Sequence, residues 1–265
     1  MNLPGSRVLV TGASRGIGAA LATEFAAAGA RVVLVGRDAT ALDEVARRVG
    51  GVAWVTDLAD AEEVRGLVKR IEATAGPLDV LVNNAGVENS GGFADQSEEA
   101  VEASYRVNLL TPAQLCRQAL PGMLARGRGH IVNISSLAAF SAFPGLAVYG
   151  SSKAGLTQLT AGLRADLRGS QVGTTIVELG PVATAMLARV KIYAPTGDSF
   201  ARMYRLGLIV DVHPETVARA TVGAVGTGRR HVRLPRRSAL AARLAASPRR
   251  TTELLLAGVH HQQAG

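Results

Sequence analysis

Arg7-Val8-Leu9-Val10-Thr11-Gly12-Ala13-Ser14-Arg15-Gly16-Ile17-Gly18 decides the architecture of this chain. A β-branched, aliphatic run stops at a glycine-bearing turn, and apolar side chains then recur at helical spacing through residues 16–28. Glycine at such a join lets the backbone turn tightly and approach a pyrophosphate, whose charge meets the amides of a helix N-terminus. A glycine-rich turn with no ligand is the bland alternative. Placement between a strand and a helix favours the nucleotide.

Outward from that join the alternation continues. Strands are predicted at Arg31–Val35, Val52–Thr56, Val80–Val82, His130–Ile134, Gly173–Glu178 and His231–Leu234. Helices are predicted over 40–49, 60–75, about 98–126, about 149–168 and from His213 onward. Apolar strands separated by helices mean a parallel sheet covered on both faces. The expected fold class is therefore α/β: a single doubly wound Rossmann-type domain with a predominantly parallel seven-stranded sheet. Residues 1–235 form the expected dinucleotide-binding and catalytic domain. Residues 183–212, too long for an ordinary connection, read as a lid. Residues 236–265 read as a basic helical C-terminal extension, with short helices over 238–258 broken at Pro248.

Composition narrows the class. With 265 residues, 48% hydrophobic and 19% charged, the chain is globular and large enough for one α/β sheet domain. Cys116 is the single cysteine, which excludes an internal disulfide and any multi-thiolate metal site and fits a cytoplasmic protein. Neither a secretory leader nor a spanning apolar segment is expected from the residues present. The net charge of +8 is unevenly spread, because nine arginines and no acidic residue lie between Thr216 and Thr252. Without those nine, 20 basic residues face 21 acidic ones. The basic tail packs on the fold with its arginines in water, or lies on an anionic membrane surface as a peripheral contact. Nucleic acid is disfavoured, because no aromatics interleave the arginines and no reader motif accompanies them.

The second predicted strand ends Val35-Gly36-Arg37-Asp38. An NAD site usually places an acid there to hold the ribose 2′-hydroxyl. Here Gly36 removes the carboxylate, and Arg37, with Arg15 in the glycine loop, offers guanidinium groups suited to a phosphate. That pattern predicts NADP(H) over NAD(H). Asp38 lies one residue further along and turns away.

Tyr149-Gly150-Ser151-Ser152-Lys153 opens a predicted helix with phenol and ammonium on one face. The ammonium is expected to lower the phenol's pKa and make Tyr149 a general acid or base. Alone, such a pair is common by chance. Its company is Thr11–Gly18, Asp57-Leu58, Asn83-Asn84-Ala85-Gly86, Asn108, Ser136 and Gly180-Pro181-Val182-Ala183-Thr184. In that order the set resembles the short-chain dehydrogenase/reductase family across residues 5–235. Leu179 stands where the family usually has proline.

The resemblance implies an oxidoreductase acting on a carbonyl or secondary alcohol, with Asn108, Ser136, Tyr149 and Lys153 as catalytic residues. Ser136, thirteen residues before Tyr149, is chosen over Ser135. It would hydrogen-bond the substrate oxygen. Tyr149 would exchange the proton through Lys153, the ribose hydroxyl and water held at Asn108. The cofactor would touch Gly12, Ser14, Arg15, Gly16, Ile17, Gly18, Arg37, Asp57, Leu58, Asn83, Ala85, Gly86, Tyr149, Lys153, Val182 and Thr184. Family members also suggest a homodimer or homotetramer through the helices near 98–126 and 149–168. A non-catalytic NADP(H)-sensing protein of the same fold, its tail docking a partner or membrane, is the alternative.

Substrate contacts are expected from Ser136, Leu137, Phe143, Tyr149, Pro181 and Met186, with Val87, Phe140, Leu187 and Tyr193 as further wall residues. Glu88 is the one charged candidate and could equally face solvent. The mostly apolar set points to a hydrophobic ketone or alcohol. His130 is expected to be structural; His213 and the His260-His261 pair are expected to be solvated, and no metal site is expected.

Overall fold

The computed structural model describes residues 1–235. The expected tail helices, its membrane contact and the His260-His261 pair lie outside the described residues.

Seven parallel strands form one sheet in the order β3-β2-β1-β4-β5-β6-β7. They are β1 (Arg7–Thr11), β2 (Arg31–Gly36), β3 (Val52–Val55), β4 (Val80–Asn83), β5 (Gly129–Ser136), β6 (Val172–Leu179) and β7 (His231–Leu234). Alternate side chains of these strands face opposite layers. Val8, Val10, Val32, Leu34, Val80, Val82, Val132 and Ile134 pack with α1 (Gly16–Ala27), α2 (Ala39–Val49) and α10 (Pro214–Thr227). Leu9, Val33, Val35, Leu81 and Ile131 pack on the other face, against α4 (Leu67–Ala75) and α6 (Thr111–Ala125). The strand order reverses between β1 and β4, which opens a crevice at the strand C-termini.

Three expected helices differ in detail. The helix expected over 60–75 is two, α3 (Ala61–Val64) and α4, because Gly66 between them has φ +63°. The helix expected over 98–126 is α5 (Glu98–Tyr105) and α6 joined by a π-helical turn at Arg106–Leu110. The helix after β5, α7 (Ala147–Asp166), begins two residues before Tyr149. The expected lid contains two helices, α8 (Ala185–Val190) and α9 (Ala194–Arg205).

Both ends of the 183–212 segment are tied to one point. Val182 and Val212 form an isolated parallel bridge, with Ala183 N donating to Val212 O at 3.0 Å and Val212 N to Pro181 O at 3.0 Å. Leu146 makes a small apolar cluster with Val190, Phe200 and Ile209 of this segment. Among the described residues no helix is long and apolar enough to cross a membrane.

Candidate active site

The glycine loop is held against the end of β4 by a compact hydrogen-bond set. Thr11 Oγ1 accepts from Asn84 N (2.9 Å) and Ala85 N (3.0 Å) and donates to Val82 O (3.2 Å). Asn84 Nδ2 donates to Thr11 O (2.9 Å) and Gly12 O (3.3 Å). The loops approach so closely that a Cβ on Gly12, where φ is +64°, would lie 2.9 Å from Ala85 Cα. A Cβ on Gly18 would lie 2.0 Å from Gly12 O. The glycines therefore let two loops and the start of α1 share one small space.

Above this floor lies a cavity of about 1040 Å³. One end is lined by Gly12, Ser14, Arg15, Gly16, Ile17, Gly18, Arg37, Asp57, Leu58, Ala85 and Gly86. Arg15 and Arg37 are exposed there. Asp38 caps α2, its carboxylate accepting from Ala41 N at 3.1 Å. At the other end, Ser136, Leu137, Phe140, Phe143, Tyr149, Lys153, Pro181, Val182, Thr184, Met186 and Leu187 line the wall. The 183–212 segment adds Val190, Phe200, Met203, Leu208 and Ile209, which sequence reading missed. Helical periodicity within 185–205 was the available signal, but only the fold shows which face turns inward.

Three expected site residues do not line this cavity. Asn83 is buried behind it, its Nδ2 donating to Asn133 Oδ1 (2.8 Å) and Cys116 Sγ (3.3 Å). Asn108, fully buried on the π turn, accepts from Val87 N (2.9 Å) and donates to Val87 O (2.9 Å) and Ser152 Oγ (3.1 Å). Its side chain thus holds the loop after Gly86 rather than facing the cavity. Tyr193 packs over Gly145 and Gly92 instead.

The choice between the serines has a structural correlate. Ser135 Oγ is taken up inside the fold, with Thr157 Oγ1 at 2.8 Å and Lys153 O at 3.1 Å. Ser136 Oγ accepts from Ala138 N (3.1 Å), donates to Leu179 O (3.3 Å) and interacts with the Tyr149 hydroxyl. Leu179, in the family's proline position, is buried at the end of β6, in register with Ser136 on β5 and Leu234 on β7.

Electrostatics differ from the expectation at Tyr149. Burial pushes its phenol above the ordinary tyrosine value; the Ser136 contact opposes this and the Glu88 charge adds to it. Desolvation is the largest cause of that shift; the Lys153 ammonium lies 6.0 Å from the ring centroid and donates to Ile134 O at 3.0 Å. Burial lowers Lys153 itself to about 8. His130 is a core residue, with Nε2 2.8 Å from Thr175 Oγ1, and burial lowers its pKa to about 4. His213 is exposed at the start of α10.

A nicotinamide dinucleotide suits this arrangement: the glycine cradle would clash with added Cβ atoms, and the cavity runs unbroken from Arg37 to Tyr149. The short chain dehydrogenase family profile matches residues 6–192. Ketoacyl reductase HetN of Nostoc sp. is 39% identical over 199 residues, 73% of this chain and 69% of that protein. A short-chain dehydrogenase from Sphingobium yanoikuyae, solved in complex with NADPH, is 28% identical with a TM-score of 0.80, covering 98% of each chain. One from Burkholderia phymatum, solved with NAD, shares the fold at 24% identity and a TM-score of 0.80, covering 100% of this chain and 99% of that one.

Proposed function

The chain belongs to the short-chain dehydrogenase family, and from that premise we propose that it is an NADP(H)-dependent oxidoreductase acting on the carbonyl or secondary alcohol of a hydrophobic substrate. One observation carries this reading: Ser136, Tyr149 and Lys153 meet at one end of a cavity whose other end is the glycine loop.

Gly12, Ser14, Arg15, Gly16, Ile17 and Gly18 would hold the pyrophosphate region, with Asp57 and Leu58 beside the adenine. Ala85 and Gly86 would meet the middle of the dinucleotide, Tyr149 and Lys153 the ribose, and Val182 and Thr184 the carboxamide. When bound, the dinucleotide supplies or accepts the hydride. The protein's part in reduction is to stabilise the negative charge that grows on the substrate oxygen. Ser136 and Tyr149 donate hydrogen bonds to it, and Tyr149 gives up its proton. A phenol kept protonated by burial is the form this step requires. Lys153, whose buried ammonium releases its proton near pH 8, can return one to Tyr149. Asn108 acts as a positioning residue, through Val87 and Ser152.

The phosphate preference rests on this chain's own residues, since similar structures hold either cofactor. Gly36 offers no carboxylate, Asp38 is occupied as a helix cap, and Arg37 stands exposed at the cavity edge. Arg37→Asp should cut the NADPH-over-NADH ratio of kcat/KM by about 10- to 100-fold, the worth of a lost charge-assisted contact. An unchanged ratio would refute the assignment. The apolar wall of Leu137, Phe143, Pro181 and Met186, closed by the lid, supports a hydrophobic substrate. Purified protein should consume NADPH with a ketone panel, and Tyr149→Phe should abolish turnover while still binding NADPH. Activity surviving that change would sink the mechanism. We also read a homodimer or homotetramer through α5, α6 and α7, with Leu110 of the π turn between α5 and α6 46% exposed; sedimentation showing a monomer would refute it.

A further inference from the structure

Among the described residues, Glu88 is the one acidic side chain brought to the substrate end of the cavity, and it is 9% exposed. Its Oε1 is buried without a hydrogen-bond partner among those residues. A carboxylate oxygen withdrawn from water and left unpaired is costly, so its retention calls for a partner. The fold also fixes where it stands. Asn108 clamps Val87 through both its N–H and its C=O, each at 2.9 Å. On the other side, Asn89 Nδ2 donates to Ala100 O and Ser104 Oγ, both at 3.1 Å, which pins the loop to α5. Between two anchored neighbours, Glu88 is held in the cavity wall.

The position lies beside the chemistry. A Cβ on Gly86, two residues earlier, would sit 3.4 Å from Lys153 Nζ and 3.2 Å from Asn108 Oδ1. The carboxyl also acts electrostatically on Tyr149. We propose that Glu88 is a substrate-recognition residue, and that it selects hydrophobic ketones carrying a second, neutral hydrogen-bond donor, a hydroxyl, near the reacting carbonyl. This rests on the oxidoreductase reading above and narrows its substrate class. An ammonium group is the less suitable donor, because Arg189 on α8 lines the same cavity and its positive charge already acts on Glu88. Burial raises the Glu88 pKa above the ordinary carboxylate value, and Ser90 and Arg189 offset part of that rise; the ionised carboxylate is the better acceptor.

The test compares 2-decanone with its 3-, 4- and 5-hydroxy derivatives, using NADPH and the wild type, Glu88→Gln and Glu88→Leu. Wild type should favour at least one hydroxyketone over 2-decanone by about 10- to 100-fold in kcat/KM, the range for a hydrogen bond to a charged acceptor. In Glu88→Leu that ratio should fall to near one. Glu88→Gln, isosteric and still an acceptor, should lie between, and its lowered ratio stands as the result if the leucine variant fails to fold. NADPH binding by each variant reports an intact fold. A wild type that reduces all four ketones alike, or a preference that survives in Glu88→Leu, overturns the proposal while leaving the oxidoreductase reading in place. No NADPH consumption with any ketone, despite NADPH binding, overturns that reading and the proposal with it.

Discussion

Gly18→Ala tests whether the start of α1 is held against the glycine loop as closely as its geometry indicates. The new Cβ would lie 2.0 Å from Gly12 O, 2.7 Å from the Gly12 carbonyl carbon and 2.7 Å from Asn84 Nδ2. Carbon–oxygen contacts settle near about 3.3 Å, so relief requires a movement of about 1 Å. Two of these neighbours are backbone and cannot rotate away. The first turn of α1 must withdraw, or Asn84 must release Thr11 O and Gly12 O. Overpacking costs about 1–3 kcal/mol and a lost hydrogen bond about 1 kcal/mol, against up to about 1 kcal/mol gained by replacing glycine in a helix. The net expectation is a loss of about 2–3 kcal/mol. Gly16→Ala is the comparison: its φ of +55° penalises a side chain, but the nearest atom would be Thr184 Cγ2 at 3.4 Å, so its cost should be only about 1 kcal/mol. Urea unfolding gives the stabilities, with the m-value checking that the transition is unchanged in kind. NADPH titration should show a greater loss of affinity for Gly18→Ala, whose repair displaces the amides proposed to hold the pyrophosphate. Stability within about 0.5 kcal/mol of wild type with normal NADPH binding would refute the reasoning.

Two further outcomes follow from the same geometry. Below pH 8 the Lys153 ammonium is present and the Tyr149 phenol is protonated, so kcat/KM for ketone reduction should hold through neutral pH. It should fall as pH passes about 8 and Lys153 loses its charge; a pH profile that instead rises from 7 to 9 contradicts these assignments. Gly223 is an exposed interior position of α10 with nothing within 4 Å of an added Cβ. Gly223→Ala should therefore raise stability by about 0.5–1 kcal/mol, and a lowered Tm would show that this face of α10 is not open.

The strands and the glycine turn were legible because their signals are local: a β-branched run, a stop, then a helical period. What lay beyond sequence reading was decided by contacts distant along the chain. The π turn at Arg106–Leu110 inserts a bulge that apolar periodicity cannot register, and it carries Asn108 inward to Val87 and Ser152. Gly66 looks like any helical glycine until its positive φ divides α3 from α4. Asn83 and Asn84 are adjacent and chemically identical, yet strand alternation sends the first toward Asn133 and leaves the second at the glycine loop. Sequence leaves Glu88 equally on the pocket wall or in solvent; the packing of its loop against Asn108 and α5 decides for the inside.

Tyr149 shows why the same pair of residues yields opposite electrostatic answers at the two levels. Read as sequence, an ammonium four positions along the helix lowers a phenol's pKa. In the fold burial drives each group toward its neutral form: the phenol up, the ammonium down to about 8. The Glu88 carboxylate pushes the phenol the same way, since a second negative charge nearby disfavours phenolate. These shifts favour proton delivery over proton removal. A phenol holding its proton at neutral pH is the form the proposed ketone reduction asks of Tyr149. Glu88 would then act on the reaction twice, accepting a hydrogen bond from the substrate and helping to keep Tyr149 in its donating form.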